Sequence, residues 1–328
     1  MADTYRAAVC NALTGPDSIR IEDLPDVSLH PGEVRIAVRA AGLNFPDLLM
    51  TQGAYQFRPD PPFVPGMEVA GDVIAIAPDV TGVALGDRVM AGGKGGGLAE
   101  HMIVGVKAIR PLPKAFSFEE GACWHAAAVT AWHALHDKAA LQPGESILIL
   151  GASGGVGMAA VMLARQKQAF VIGTGSNEAK RAAILRAGAD HALDPADPAL
   201  AATVKALTGG GGANVVYDPV GGDLALTATR AIAWGGRYLI VGFASGTIPQ
   251  FPANHAMIKG YSLIGLRAGE SGRRDPRLAA QTSAALATLA EQGVMRPHIS
   301  HRFALDDAAD ALRALANRAI IGRAVVVM

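Results

Sequence analysis

The stretch Gly151-Ala-Ser-Gly-Gly-Val-Gly157 follows the apolar run Ile147-Leu-Ile-Leu150 directly, so it reads as a strand passing through a glycine turn into a helix. Each glycine has its own reason to be there. Gly151 takes the positive φ of a tight turn, Gly154 lets backbone approach a pyrophosphate, and Gly157 brings the following helix close to the strand. The helix N-terminus, with its free amides, then faces an anion. Downstream, Met158 to Arg165 reads as helix, Ala169 to Gly173 as a second strand, and Glu178 to Ala187 as a second helix ended by Gly188. This is the βαβ unit that a dinucleotide site requires.

The alternation continues with strands at His191 to Leu193, Asn214 to Tyr217, Arg237 to Gly242 and Ser262 to Leu266. Helices are expected at Pro198 to Leu207, around Leu224 to Ala233, and from Arg277 to Gln292. Such a pattern builds a doubly wound parallel sheet in an α/β fold. The first third differs. Tyr5 to Cys10, Ser18 to Asp23, Glu33 to Ala41, Glu68 to Ile76 and Arg88 to Ala91 are short segments parted by Pro, Gly and Asp, as in a small barrel or sandwich. From Phe118 a helical run carries Glu119, Ala122, Ala126, Thr130 and Ala134, with Phe116-Ser117 as its cap. The expected division is a β-rich domain over 1–125, completed by about 295–328, and a nucleotide-binding domain over 126–294. The tail Arg323-Ala-Val-Val-Val-Met328 reads as a strand that returns to the first domain.

At 328 residues the chain is long enough for two domains with separate cores. Half of the residues are hydrophobic, yet charges interrupt every apolar run before the roughly 18 residues of a membrane span. Lys plus Arg and Asp plus Glu both number 29, which leaves no electrostatic footprint for nucleic acid or an anionic membrane. The start, Met1-Ala-Asp-Thr-Tyr-Arg6, lacks the basic and apolar regions of a signal peptide, so a cytoplasmic location is expected. Cys10 and Cys123 are the only cysteines, too few for a four-thiolate zinc site, and Cys123 reads as a buried inert thiol.

Several separated motifs occur together: Ala41-Gly-Leu-Asn44-Phe-Pro-Asp47, Gly53-Ala-Tyr55, Pro65-Gly66-Met-Glu68-Val-Ala-Gly71, Leu85-Gly86-Asp87-Arg88-Val89, Val129-Thr130-Ala-Trp-His133 and Tyr217-Asp218-Pro-Val-Gly221. With the glycine turn and the tail, they resemble the medium-chain dehydrogenase/reductase superfamily, and within it the zinc-free, zeta-crystallin-like quinone reductase branch. The resemblance covers essentially the whole chain. It implies a GroES-like catalytic domain beside a Rossmann domain, an active site in the cleft between them, hydride transfer, and a homodimer joined through an edge strand near Tyr261 to Leu266.

Departures from the pattern matter as much. Zinc-dependent relatives carry a cysteine where Asn44 stands and a histidine where Met67 stands, and their cysteine-rich loop is replaced by Gly92-Gly-Lys-Gly-Gly-Gly97. No metal is therefore expected. His101, His125, His133 and His136 are read as packing or surface residues. Glu68, which lies near the metal in zinc enzymes, is expected to pair with a base such as Arg88 or Arg267. Asp47 is expected to steady its loop by an Asx-type turn after Pro46.

The cofactor-binding set is Gly151, Ser153, Gly154, Gly155, Val156 and Gly157, with Ser176, Lys180 and Arg318 for the remainder of the dinucleotide. No Asp or Glu ends the second Rossmann strand. Instead Ser176 and Lys180 match the positions that similar reductases use for a 2′-phosphate, which favours a hydroxyl and an ammonium. Glu178 is expected to turn away and pair with Lys180 or Arg181, and Arg318 matches a tail arginine that reaches the cofactor. NADPH is the expected cofactor.

Without zinc, the oxyanion that develops on the acceptor needs hydrogen-bond donors. Asn44, Tyr55 and Thr130 are the catalytic candidates. By resemblance Asn44 lies beside the nicotinamide ribose and substrate, Thr130 holds the carboxamide, and Tyr55 lines the acceptor pocket as proton donor or as aromatic wall. The expected function is NADPH-dependent reduction of a small-molecule quinone or α,β-unsaturated carbonyl (an activated alkene). A reductase of enoyl-CoA or acryloyl-CoA, with Arg267, Arg273 and Arg274 near a basic entrance, and a non-catalytic NADPH-binding sensor or structural protein are the alternatives.

Overall fold

The computed structural model describes residues 4–328. The chain divides into two compact units, Met1–His125 with Pro297–Met328, and Ala126–Arg296. In the first unit β1 (Thr4–Cys10) and β2 (Ile19–Pro25) form an antiparallel ribbon. β3 (Glu33–Gly42) buries alternate residues, Val34, Ile36 and Val38 facing the core, as the two-residue period of a half-buried strand dictates. It runs almost directly into α1 (Phe45–Thr51). β4 (Glu68–Ile76), β5 (Arg88–Gly92), β6 (His101–Gly105) and β7 (Ile109–Pro111) complete this part of the sheet, and α2 (Phe118–Ala122) follows.

The second unit opens with α3 (His125–Trp132), whose first residue closes the first unit, and continues in a π turn, His133–Lys138. The helix expected from Phe118 is thus two helices. Gly42 lies so close to the carbonyl of Ala122 that an added Cβ would sit 2.0 Å from it, and α2 ends there at Cys123. Ser117 caps α2 in a reciprocal box with Glu120.

Then come β8 (Ser146–Ile149), α4 (Gly155–Gln166), β9 (Phe170–Thr174), α5 (Glu178–Arg186), β10 (His191–Leu193), α6 (Leu200–Leu207), β11 (Ala213–Asp218) and α7 (Gly222–Ala231). β12 (Ile232–Ile240), α8 (Ala253–Lys259), β13 (Ser262–Gly265), α9 (Ala268–Arg274) and α10 (Pro276–Glu291) close the unit. The strands form one parallel sheet in the order β10-β9-β8-β11-β12-β13. β8 at its centre is buried along its whole length, as a strand covered on both faces must be. α7 stops at Ala231, two residues before its expected end, because Ile232 pairs with Ala213 across a bulge.

β14 (Ile299–Ala304), α11 (Ala308–Ala316) and β15 (Arg323–Val327) return to the first unit. There β15 joins β3 antiparallel, giving the order β14-β15-β3-β4-β5-β7 with β6 also on β3. The fold is therefore α/β, with a GroES-like β-rich domain and a Rossmann domain. Among the described residues no helix is long and apolar enough to cross a membrane.

Candidate active site

The glycine turn follows β8 at the carboxyl edge of the parallel sheet. Gly151 has φ +56°, and its amide donates to Thr174 Oγ1 at 3.0 Å. A Cβ on Gly157 would lie 2.5 Å from the Gly151 carbonyl and 2.8 Å from Ala152 Cα, so the turn folds onto the helix and tolerates no side chain there. Gly154 differs. It is the N-cap of α4, and a Cβ on it would meet nothing nearer than the Gly151 carbonyl at 3.5 Å. Its bare face is turned away from the protein, toward the space an anion would take. Gly155, Val156 and Gly157 supply the first helical amides, which an α-helix leaves without intrahelical acceptors. Ser153 is buried beneath the turn. These residues fit a pyrophosphate.

β9 ends at Thr174, and Gly175 keeps the chain close to α5, since its Cβ would stand 2.9 Å from Ile184 and 3.1 Å from the Arg181 amide. Asn177 caps α5 by accepting from the Lys180 amide at 2.9 Å. That cap brings Lys180 Nζ to 3.5 Å from Ser176 Oγ, so a hydroxyl and an ammonium stand together where an NAD-selective fold puts a carboxylate. Arg181 does not pair with Glu178. Its guanidinium donates to Asp194 Oδ2 at 3.1 Å and to the Gly175 carbonyl at 2.9 Å. Arg318 sits just past α11 at φ +54°, a left-handed conformation that costs a side chain of this kind about 1 kcal/mol or more.

Asn44 belongs to a buried charged cluster in the first unit. Arg323 Nη1 donates to Asn44 Oδ1 at 2.8 Å, and Nη2 donates to Glu68 Oε2 at 2.9 Å. An arginine only donates, which assigns oxygen to the Asn44 atom facing it. Asn44 Nδ2 then lies 3.3 Å from both the Gly42 carbonyl and Glu68 Oε2. These are long, weakly held contacts for amide hydrogens. Glu68 pairs with Arg323, whereas the expected Arg88 lies over the Phe118 ring. Sequence reading missed Arg323 although a signal existed: an arginine heads an otherwise apolar strand.

Asp47 is fully buried and accepts from the Asn44 amide at 2.8 Å and the Gly66 amide at 3.1 Å. These bonds cap α1 and bind it to the Gly66 turn, in place of an Asx turn after Pro46. Burial raises its carboxyl to about 7, against the lowering effect of the two amides and Arg323. A carboxyl raised on folding holds its stabilising contribution below the unfolded value and loses it as pH rises through the folded one. Unfolding free energy is therefore expected to fall, by up to a few kcal/mol, between about pH 4 and about pH 7. Denaturant titrations of wild type and Asp47→Asn across that window check it, and an Asp47→Asn slope equal to wild type would refute the assignment.

Tyr55 is half-buried in the turn after α1, and its carbonyl accepts from Arg58 Nε at 3.2 Å. Lys94 lies 5.0 Å above the Phe57 ring, tying this turn to the glycine loop. That loop is close-packed: a Cβ on Gly97 would be 2.7 Å from the Gly66 carbonyl. Thr130 in α3 donates its hydroxyl hydrogen to the Ala126 carbonyl at 2.8 Å, so it meets a ligand as an acceptor. That suits a carboxamide NH₂ and not an oxyanion.

The positions matching zinc ligands do not fit a cation. Asn44 Oδ1 and Glu68 already face a guanidinium, and position 67 offers a thioether. The histidines are dispersed: His101 binds Asp26, His136 stacks on Trp132 at 4.5 Å, and burial lowers His125 to about 3. Among the described residues no group of three His, Cys, Asp or Glu could hold a metal. Cys123 is buried, and burial raises its thiol to about 11.

Comparison with known proteins agrees with this architecture. Residues 30–114 match the alcohol dehydrogenase GroES-like domain and residues 155–287 match the zinc-binding dehydrogenase family. A quinone oxidoreductase-like protein 2 homolog of Nematostella vectensis is 37% identical over 98% of this chain and 89% of its own. The crystal structure of a probable oxidoreductase from Mycobacterium abscessus superposes with a TM-score of 0.91 at 34% identity, covering 100% of both chains. A mycobacterial protein solved in complex with NADPH gives a TM-score of 0.91 at 28% identity over 99% of this chain and 100% of its own. With a β-rich unit, a glycine-cradled parallel sheet and relatives along its whole length, the chain belongs to the medium-chain dehydrogenase/reductase superfamily, in its zinc-free quinone oxidoreductase branch.

Proposed function

We propose that this oxidoreductase is an NADPH-dependent, zinc-independent reductase of quinones or α,β-unsaturated carbonyls. The observation that carries the reading is the pairing of an open anion cradle at Gly154 with Ser176 and Lys180 side by side at the end of β9. The NADPH-bound mycobacterial relative and the quinone oxidoreductase-like relatives support it. When bound, the cofactor supplies a hydride. Gly151, Ser153 and the amides of Gly154 to Gly157 hold the pyrophosphate, Ser176 and Lys180 hold the 2′-phosphate, and Arg318 adds a cation. A side chain kept at a φ that favours glycine supports that use of Arg318.

Thr130 accepts from the carboxamide. Asn44, with its carbonyl fixed by Arg323, offers its loosely held amide hydrogens toward the ribose and substrate. Tyr55 donates a hydrogen bond or proton to the reduced acceptor. The CoA reading draws less support, because Arg273 and Arg274 both bind Glu270, at 2.7 and 2.8 Å. The enzyme is taken to be cytosolic and homodimeric through β13, an edge strand with exposed Leu263, and with Trp234, Met257 and Ile258 also exposed. A monomer in analytical ultracentrifugation would refute the dimer.

A steady-state screen of quinones, enones, enals and short enoyl-CoAs with NADPH tests the function. Turnover with quinones or enones is expected, and Tyr55→Phe should slow enone reduction by roughly 10- to 100-fold while sparing quinones. NADPH binding without oxidation by any acceptor would leave a non-catalytic binding protein.

A further inference from the structure

We infer that the last turns of α6, α7 and α8 form a binding pocket for a small phosphate monoester, separate from the cofactor cradle. The inference is independent of the reductase reading above. An open cavity of about 300 Å³ lies there, lined by Lys205, Thr229, Arg230, His255, Ile258 and Lys259. That volume is at the lower end of small-ligand pockets. The three helices lead into β11, β12 and β13, so the pocket sits at the amino edge of the parallel sheet, whereas the Gly154 turn follows the carboxyl end of β8.

Side chains tie its walls together. α6 packs on α7. Thr229 Oγ1 gives its one hydrogen to the Leu226 carbonyl at 2.8 Å, so it accepts from His255 Nδ1 at 3.1 Å and joins α7 to α8. Lys259 Nζ, at the end of α8, donates to the carbonyls of Thr229, Arg230 and Ile232 at 3.3, 2.8 and 2.8 Å. An ammonium has three hydrogens, and all three are spent closing α7. Lys259 is thus held in place and lends the pocket its charge.

Lys205 and Arg230 have no such duty. Each stands in the last turn of its helix, and among the described residues neither side chain has a hydrogen bond or an ion pair. Burial and the charge of Lys205 push the Lys259 ammonium below its usual value, so the two cations repel. α6 and α8 carry no Asp or Glu, and the one carboxylate of α7, Asp223, lies in its first turn at the far end.

Helix ends account for part of this gathering, since each C-terminus counts as about half a negative charge. Three such ends offset about half of three cations, and a positive field remains over the cavity. A dianion suits that field better than a monocarboxylate. The Arg230 fork and the Lys205 ammonium can take its oxygens, while Ile258 and the aliphatic lysine stems offer an apolar wall to an organic ester. Trp234 and Leu263, exposed on the proposed dimer face, are not among the walls.

The test titrates phenyl phosphate, inorganic phosphate and benzyl alcohol by calorimetry into NADPH-saturated wild type, Lys205→Gln/Arg230→Gln and Lys205→Arg/Arg230→Lys. Saturation keeps the probes out of the cradle, and the difference between wild type and variant isolates the pocket whether or not the cradle is filled. Phenyl phosphate should bind wild type, lose roughly 10-fold or more in the Gln variant and stay within about threefold in the exchanged variant, with the NADPH Kd within about twofold throughout. It should also raise the Tm of wild type and not that of the Gln variant. Equal phenyl phosphate affinity in wild type and the Gln variant, or benzyl alcohol binding as tightly as phenyl phosphate, would overturn the site. A Gln variant that loses Tm equally with and without phenyl phosphate would show the cations acting only as helix caps and overturn it too. Inorganic phosphate binding as tightly as the ester would overturn the ester as ligand in favour of the free ion.

Discussion

Arg323→Met is expected to destabilise the β-rich unit by roughly 3–5 kcal/mol. Arg323 and Glu68 are 6% and 5% exposed at their side chains, and the guanidinium is bound to both Glu68 and Asn44. Methionine fills a similar volume but leaves a carboxylate in a low-dielectric interior with its ion-pair partner gone, and the Asn44 carbonyl without its donor. Two buried penalties then add. The same physics predicts that Glu68→Gln in the Arg323→Met background recovers much of the loss, because the pair itself is worth little beyond cancelling its own desolvation. Arg323 Nε, buried without a hydrogen-bond partner, already reduces its net contribution. Chemical denaturation of both variants checks this, and a single-variant loss below about 1 kcal/mol would mean the cluster is more hydrated than its burial indicates.

Removing Ser176 and Lys180 together is expected to weaken NADPH binding by roughly 10- to 100-fold while changing NADH binding by less than about threefold. A hydrogen bond to a charged group contributes about 1.5–3 kcal/mol, and 1.4 kcal/mol is tenfold in affinity. Lys180 supplies the charge and Ser176 the neighbouring hydroxyl, 3.5 Å away, so both act on one phosphate and their losses should be less than additive. Arg181, engaged with Asp194 and the Gly175 carbonyl, is poorly placed to substitute. Isothermal titration of the Ser176→Ala/Lys180→Ala variant with each nucleotide measures the difference. Equal losses for NADPH and NADH would indicate damage to α5 and not loss of a phosphate site.

The parallel sheet was legible because each strand is a short apolar run followed by a turn signal, and three glycines with distinct steric duties mark the cradle. Local patterns carried that information. What escaped depends on contacts between distant segments. The break between α2 and α3 comes from Gly42 approaching Ala122, 80 residues later by subtraction of their numbers, and no periodicity encodes it. Arg323 and Glu68 are 255 residues apart, so either alone looks like an ordinary surface charge. Ser271 and His133, 138 residues apart, meet only once α9 has folded. The glycine turn and the adjoining Ser176 and Lys180 are therefore local features of the sequence, whereas the buried charges of the β-rich unit needed the fold.

The most direct measurement is the ratio of kcat/KM for NADPH over NADH with a single quinone acceptor. A ratio of roughly tenfold or more in favour of NADPH is predicted, falling toward one in Lys180→Ala. A ratio near one in the wild type, a preference for NADH, or bound NADPH that no acceptor oxidises would contradict a phosphate-selective hydride-transfer enzyme.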